Sequence, residues 1–235
     1  MTGVSTNNTK LSIIVPVYNE RNTLPFFVNQ IQKQWKNEHE LIIVDGGSTD
    51  GSLEWLKTKK NIKVIRSKKG RAIQMNTGAE NDQFDWLYFL HVDSILPLHF
   101  DEHIQKAINN GAKTGCFQLE FFPSNWILKL AAAGSKWNHI LCRGGDQSLF
   151  VKKTLFENLR GSDLDYIVCE DIHFIQKLYQ ATPFFVLPQK IKTSSRRFTE
   201  NGCFRLLFHF GVLHFLHWIG SGPKTLNNYY KRVVI

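Results

Sequence analysis

Paired cysteines, long apolar runs and glycine-rich phosphate loops are all missing from this sequence, and each absence removes a class of protein. The four cysteines, Cys116, Cys142, Cys169 and Cys203, stand far apart and form none of the close pairs that zinc sites or redox motifs need. That spacing suits buried, reduced thiols in a reducing compartment. No uninterrupted apolar span reaches the roughly 18 residues of a membrane-crossing helix. The closest approach, FRLLFHFGVLHFLHWIG, is broken by Arg205 and three histidines. The opening MTGVSTNNTK is polar and the first apolar run, LSIIVPV, is cut by Pro16, so no export signal and a cytoplasmic location are expected. The P-loop order GxxxxGKS/T does not occur, nor does GxGxxG after the first apolar run, which disfavours a kinase or a dehydrogenase. Internal repeats, low-complexity tracts and linkers are absent too, so a single domain over 1–235 is expected.

Acidic residues are in short supply: 20 Asp and Glu stand against 29 Lys and Arg, a formal net charge of +9. The excess points to an acidic partner such as nucleic acid, anionic lipid or a phosphorylated small molecule, and charge alone does not choose among them. The bases are densest from Lys57 to Arg71 and from Lys190 to Arg197. What the chain does have is ordinary globular material, 43% apolar and 21% charged, in an amount sufficient for one sizeable core.

Short apolar runs alternate with amphipathic ones in the first half, the pattern of βα units around a mainly parallel sheet. LSIIVPV, HELIIVDGG, IKVIR and DWLYFLHVD read as strands, and RNTLPFFVNQIQKQW, STDGSLEWLKT and GRAIQMNTGAE as the helices between and after them. Asn22 or Thr23 is available to cap the first helix, and Ser48, Thr49 or Asp50 the second. Beyond about residue 110 the spacing predicts a long strand in GAKTGCFQLEFF and a helix in NWILKLAAAGSKWNHIL, with Trp126, Leu130, Ala133, Trp137 and Ile140 on its core side. QSLFVKK follows as a strand and YIVCEDIHFIQKLYQ as a helix. The expected layout is a nucleotide-binding half over about 11–110, an acceptor half over about 111–200, and an aromatic C-terminal helix and tail over about 201–235.

In open α/β sheets ligands bind beyond the carboxyl ends of the strands, where strand order switches. Polar groups fall at those ends. Tyr18 to Glu20 follow the first strand. Asp45, beside Gly46 and Gly47, either accepts from a nucleobase or ribose, or caps the next helix. Lys68, Lys69 and Arg71 surround Gly70 just before a helix N-terminus, a place that favours phosphate. Asp93, with His91 two residues earlier on the same side of an extended strand, can supply ligands for Mg²⁺ or Mn²⁺, the imidazole favouring Mn²⁺. Glu170 and Asp171 open an otherwise apolar helix, where one can act as general base or both can be plain helix-start acids.

Taken in order, SIIVPVYNE, IIVDGGSTDGS, KGRAIQMNTGA, LHVDS and CEDIHFIQKL resemble the motifs of the inverting family 2 glycosyltransferases of the type A fold. RGGDQSLFV and TSSRRF resemble, more narrowly, a bacterial subgroup reading LHAD and RGGDQxLFV. The resemblance implies a nucleotide-diphospho-sugar transferase fold and direct displacement at an anomeric carbon. Position by position it implies that Pro16, Tyr18, Glu20, Asp45, Arg71 and Val92 bind the nucleotide of a donor, UDP-sugar favoured. Asp93, with His91, would hold Mn²⁺ or Mg²⁺; Asp171 would be the base with Glu170 beside it; Gly144, Gly145, Asp146 and Gln147 would shape the acceptor side. Gly46 stands where the family has a second acid, and His91 where it has the first Asp of DxD.

Three rivals are weighed against this. A nucleic-acid or membrane-surface module uses the charge but leaves the strand-end acids without a purpose, so no nucleic-acid partner is expected. A nucleotidyltransferase would open with a glycine- and arginine-rich loop where this chain has PVYNERN. A degenerate homologue would bind nucleotide without turnover, a reading that the His91 substitution keeps open. CFRLLFHFGVLHFLHWIG is expected to pack onto the domain. Lying in a membrane interface is its alternative, one that would bring in a lipid-linked acceptor and place the protein at the inner face of the membrane.

Overall fold

The structure is a computed structural model and describes residues 8–233. Most of the polar N-terminal stretch, residues 1–7, and the last two residues lie outside the described residues. Seven strands form one sheet: β1 (Leu11–Val17), β2 (Glu40–Asp45), β3 (Lys63–Arg66), β4 (Trp86–Phe89), β5 (Thr114–Phe122), β6 (Leu149–Lys152) and β7 (Phe185–Ser194). Ten α-helices accompany them among the described residues: α1 (Leu24–Gln34), α2 (Ser52–Lys57), α3 (Arg71–Glu80), α4 (Phe100–Asn109), α5 (Trp126–Ala133), α6 (Lys153–Asn158), α7 (Glu170–Ala181), α8 (Arg196–Asn201), α9 (Cys203–Trp218) and α10 (Pro223–Val233).

The sheet order is β3-β2-β1-β4-β6-β5-β7. β1 pairs in parallel with β2 and β4, β2 with β3, and β5 with β7, while β6 runs antiparallel to both its neighbours. This is the mainly parallel α/β sheet that the alternating pattern predicts. Chain direction decides what meets at its working edge. The carboxyl ends of the parallel strands share that edge, and the reversed β6 brings its amino end, preceded by Gly144–Gln147, to the same place. Strand order reverses between β1 and β4, where one connection turns toward β2 and the other departs toward β6.

Strict alternation fills two layers. Leu11, Ile13, Val15 and Val17 of β1, with Leu41 and Ile43 of β2, join the core under α1 and α4. Ile14, Ile42 and Val44 point to the other face and pack with Met75, Ala79, Phe174 and Leu178 of α3 and α7. Both faces are covered, which is why these strands read as continuous apolar runs rather than alternating ones. α3 lies so close that a β-carbon on Gly78 would collide with the Ile14 side chain and stand 3.3 Å from Val44 Cγ2.

Four expectations change. The fourth strand stops at Phe89, and residues 91–94 form a turn closed by Ser94 N–H donating to the His91 carbonyl at 3.2 Å, so His91 and Asp93 are not side-chain neighbours along a strand. α4 was not foreseen. Thr23 occupies the α1 cap position but its hydroxyl donates to Glu20 Oε2 at 2.8 Å instead of accepting from backbone. The helix at Trp126 ends at Ala133 and passes into 3₁₀ turns at Gly134–Lys136 and Ile140–Cys142. Its stripe also faces the wrong way for a core: Trp126, Leu130 and Trp137 are 69% to 71% exposed, and Leu128 and Ala132 carry the buried side. Periodicity identifies a stripe without saying which side meets protein.

Gly78→Ala tests the close approach of α3 to the sheet. Alanine gains up to about 1 kcal/mol in helix propensity, whereas overpacking costs about 1–3 kcal/mol. The melting temperature should therefore fall; a rise would mean that α3 does not press on Ile14.

Candidate active site

The loop after β1 and the loop after β2 hold each other. Asn19 N–H donates to Ser48 Oγ, Glu20 N–H to Ser52 Oγ and Arg21 N–H to Asp50 Oδ2, each at 2.9 Å, and Thr49 N–H donates to Asn19 Oδ1 at 2.8 Å. Asp45 is fully buried and turned onto its own turn, its Oδ2 accepting from Gly47 N–H at 3.0 Å and Ser48 N–H at 3.1 Å. The structure shows the turn-forming contacts of Asp45, which leave acceptor capacity on its Oδ1. Gln74, 3% exposed, adds a tie that the sequence did not signal. Its amide donates to the carbonyls of Val17 at 2.9 Å and Val44 at 2.7 Å, fastening the ends of β1 and β2 to α3.

Arg71 opens α3 and reaches the centre of the site. Its Nη2 donates to His91 Nδ1 at 3.0 Å, and its Nη1 lies 3.8 Å from Glu170 Oε1. Burial alone would lower the guanidinium's pKa, but Glu170, Asp146, Asp171 and Asp93 together raise it. His91 responds in the opposite sense. Burial and then the Arg71 charge hold its imidazole far below the usual range, so it is neutral near pH 7 and accepts from arginine at Nδ1. Asp146 Oδ1 stands 3.5 Å from that nitrogen. The Nδ1 of His91 thus faces both the Arg71 guanidinium and the Asp146 carboxylate.

Glu170 and Asp171 form the first turn of α7, which the chain enters through Cys169 in a left-handed conformation, φ 62°. Glu170 is 3% exposed, and burial, then the neighbouring Asp171 charge, raises its pKa to about 7 against the pull of Arg71. Asp171 Oδ1 accepts from Ile172 N–H at 2.8 Å, and its Oδ2 accepts from Gly145 N–H. A β-carbon on Gly145 would collide with Asp171 Oδ2 and lie 3.2 Å from His91 Nε2, so only glycine lets this loop approach the carboxylate. Pro16, Arg71, His91, Gly145, Glu170 and Asp171 line one small cavity, closed beneath by apolar side chains such as Phe89 and Phe174.

The segment before β6 is anchored from below. Arg143 is 2% exposed and, among the described residues, has no carboxylate within ion-pair distance. Its Nη1 donates to Gln147 Oε1 at 2.6 Å and Cys116 Sγ at 3.2 Å, and its Nη2 to the carbonyls of Ser135, at 2.7 Å, and Trp137. Gln147 in turn donates to the Cys142 carbonyl at 2.7 Å. Gln147 is thus an interior brace and not an acceptor-facing group, while Gly144, Gly145 and Asp146 remain at the surface of the site. The arginine that starts RGGDQ supplied the only sequence signal for this brace.

Asp93 lies across the opening, exposed, in a cleft with Glu20, Val92, Lys192 and Arg196. Crowding of its carboxyl by protein, then the Asp146 and Glu20 charges, raises its pKa. Val92 itself packs into the core at 6% exposure, so only its backbone borders the cleft. Tyr18 forms another part of the rim, with Lys69 Nζ 3.8 Å from its ring centre. Among the described residues no group of three His, Cys, Asp or Glu side chains could hold a metal unaided. Asp93 and Asp146 are carboxylates of the kind that a hard cation takes when phosphate oxygens supply its remaining ligands.

Comparison with known proteins supplies the family. The model described as Glycosyl transferase family 2 matches residues 12–155, a span that holds the β1, β2, α3 and β4 motifs and the loop before β6. An uncharacterized glycosyltransferase of Haemophilus influenzae is 26% identical over 193 residues, 77% of this chain and 65% of that protein. The chain spans between 15% and 65% of the length of three curated glycosyltransferases that it matches. In structure it is similar to S. aureus TarS 1–349 in complex with UDP (TM-score 0.67, 16% identity, 88% of this chain and 65% of that one). It is also similar to the mannosyltransferase PcManGT of Pyrobaculum calidifontis in complex with GDP-Man and Mn²⁺ (0.66, 20%, 96% and 67%). With the family model covering more than half of the sequence, the chain belongs to glycosyl transferase family 2.

Proposed function

We propose that this protein transfers a sugar from a nucleoside diphosphate sugar, UDP-linked by preference, to an acceptor hydroxyl with inversion at the anomeric carbon. The observation that carries the proposal is the convergence of Arg71, His91, Gly145, Glu170 and Asp171 on one cavity at the edge where strand order reverses. TarS with UDP and PcManGT with GDP-Man and Mn²⁺ support the donor class. The finer likeness to the LHAD and RGGDQxLFV subgroup, and the division into a nucleotide half, an acceptor half and a C-terminal helix, belong to the same proposal.

Asp171 is the general base. Gly145 N–H and the α7 N-terminus hold its carboxylate charged and oriented. It takes the proton of the acceptor hydroxyl as that oxygen bonds to the anomeric carbon and the bond to the diphosphate breaks on the opposite face. Arg71, steered by His91 and Glu170, stabilises the charge that gathers on the departing diphosphate. Asp93 and Asp146 would hold a divalent cation, which when bound neutralises part of the same charge. Tyr18, Glu20 and the lysines beside them border the nucleotide. A protein that binds nucleotide without turnover is the alternative that the following measurements exclude.

Asp171→Asn should lower transfer by about 10²- to 10⁴-fold while leaving donor affinity intact; undiminished turnover would remove Asp171 from the base role. In a thermal-shift panel, UDP-sugar with Mn²⁺ should raise the melting temperature above the values with GDP- or dTDP-sugars, in line with stabilisation of about 3 kcal/mol at a hundredfold excess over Kd. Failure of every nucleotide to stabilise the chain would contradict the transferase reading. A third test uses Glu170. Its carboxyl binds a proton more tightly in the fold, at about 7, than at its ordinary 4.5. The stability it contributes is therefore complete below the ordinary value and lost as pH rises to about 7. Glu170→Gln should gain on the wild type over that window, by on the order of 1 kcal/mol, and parallel stability profiles would refute the burial argument.

A further inference from the structure

The helix stripes that the core does not use lie outside, on segments that carry no acid of their own. On α9, Phe204, Phe208, Gly211, Phe215 and Trp218 recur at alternating steps of four and three residues, and the four aromatic members and the following Ile219 are all more than half exposed. Leu206, Leu213 and His217 on the opposite side fasten the helix to the protein. α5 repeats the arrangement, with Trp126 and Leu130 outward and Leu128 and Ala132 joining Leu206 in a small core. Beside the α9 stripe, exposed Leu141 of the 3₁₀ turn at Ile140–Cys142 lines an open hollow with Gly211, His214, Phe215 and Trp218. Soluble monomers rarely leave so much contiguous aromatic surface uncovered.

Charge identifies what covers it. Neither residues 121–145 nor residues 201–235 contain a single Asp or Glu. Lys129, Lys136, Arg205, Lys224, Lys231 and Arg232 are all exposed on these segments. A two-fold pairing of this face with a second copy would set bases against bases with no acid to answer them. Tryptophan and phenylalanine flanked by Lys and Arg match instead the boundary between acyl chains and anionic headgroups.

We propose that α5, α9 and α10 form a docking face for the surface of an anionic phospholipid bilayer, with the α9 aromatic stripe inserted at the headgroup level and the surrounding bases on lipid phosphates. Among the described residues no helix is long and apolar enough to cross a membrane, so this contact is peripheral. On its inner side α9 reaches α7, the helix that Asp171 opens, His217 Nε2 standing 3.4 Å from His173 Nδ1. An amphiphilic acceptor in the bilayer would present its hydroxyl to Asp171. That last consequence rests on the transferase reading, whereas the docking itself does not.

The test is sedimentation of the full chain with vesicles of equal parts phosphatidylglycerol and phosphatidylcholine, and with phosphatidylcholine alone. The chain should bind the anionic vesicles and release as salt rises. The triple variant Phe208→Ser, Phe215→Ser, Trp218→Ser should lose at least about tenfold in binding with an unchanged melting temperature. Lys224→Gln, Lys231→Gln, Arg232→Gln, which leaves the stripe intact, should lose roughly fivefold for each base removed. Asp171→Asn should bind vesicles as the wild type does, which separates failure of docking from failure of the transferase reading. A wild type that stays in the supernatant with both vesicles would overturn the proposal, as would a concentration-dependent dimer that the aromatic triple variant abolishes.

Discussion

Parallel pairing of β1 with both β2 and β4 is the constraint from which the site follows. Parallel strands cannot be joined by tight hairpins, so each connection must cross the sheet through a helix and every strand ends at the same edge. The loops after β1, β2 and β4 are therefore neighbours although they lie up to about seventy residues apart in sequence. The antiparallel β6 extends this logic. Only a reversed strand at that position brings its preceding loop, with Gly145 and Asp146, to face the ends of the parallel strands.

Around that edge the charges keep one another in place. Arg71 lies among Glu170, Asp146, Asp171 and Asp93, whose charges hold it firmly cationic against the desolvation of its guanidinium end. Burial, and then the Arg71 charge, keep His91 neutral, and the same charge draws Glu170 partway back toward ionisation. The two members of the α7 acid pair thus have different surroundings. Glu170 is enclosed beside arginine, while Asp171 receives a backbone N–H from a loop that can come near only because residue 145 is glycine. The base role proposed for Asp171 and the contact of Glu170 with Arg71 thus fall to adjacent residues in different surroundings.

Polar residues beside glycine turns were the hardest to read in advance. Asp45 and Gln147 sit in the same motifs as residues that face the opening, yet both are consumed by their own loops, one by N–H groups of the GGS turn and the other by buried Arg143. A tight turn buries whichever side chain satisfies its backbone, and a linear motif does not state which one that is. Gln74 gave no warning for the same reason, since a glutamine within an amphipathic helix carries no signal that two strand ends need its donors. Trp126 of α5 and Trp137 beyond it face outward where a core side was expected, because spacing defines an apolar stripe irrespective of its partner.

The sequence by itself determined the α/β class, most of the strand and helix positions in the first half and the placing of Arg71 and Asp171 at helix starts, because apolar periodicity and turn residues act locally. Only the tertiary structure decided that Arg71 spans from His91 to Glu170, that Gly145 supports Asp171, and that the α5 and α9 stripes face outward. Those outcomes depend on which chain segments the sheet order makes adjacent, and adjacency across more than a hundred residues is set by strand direction and packing rather than by any short stretch of sequence.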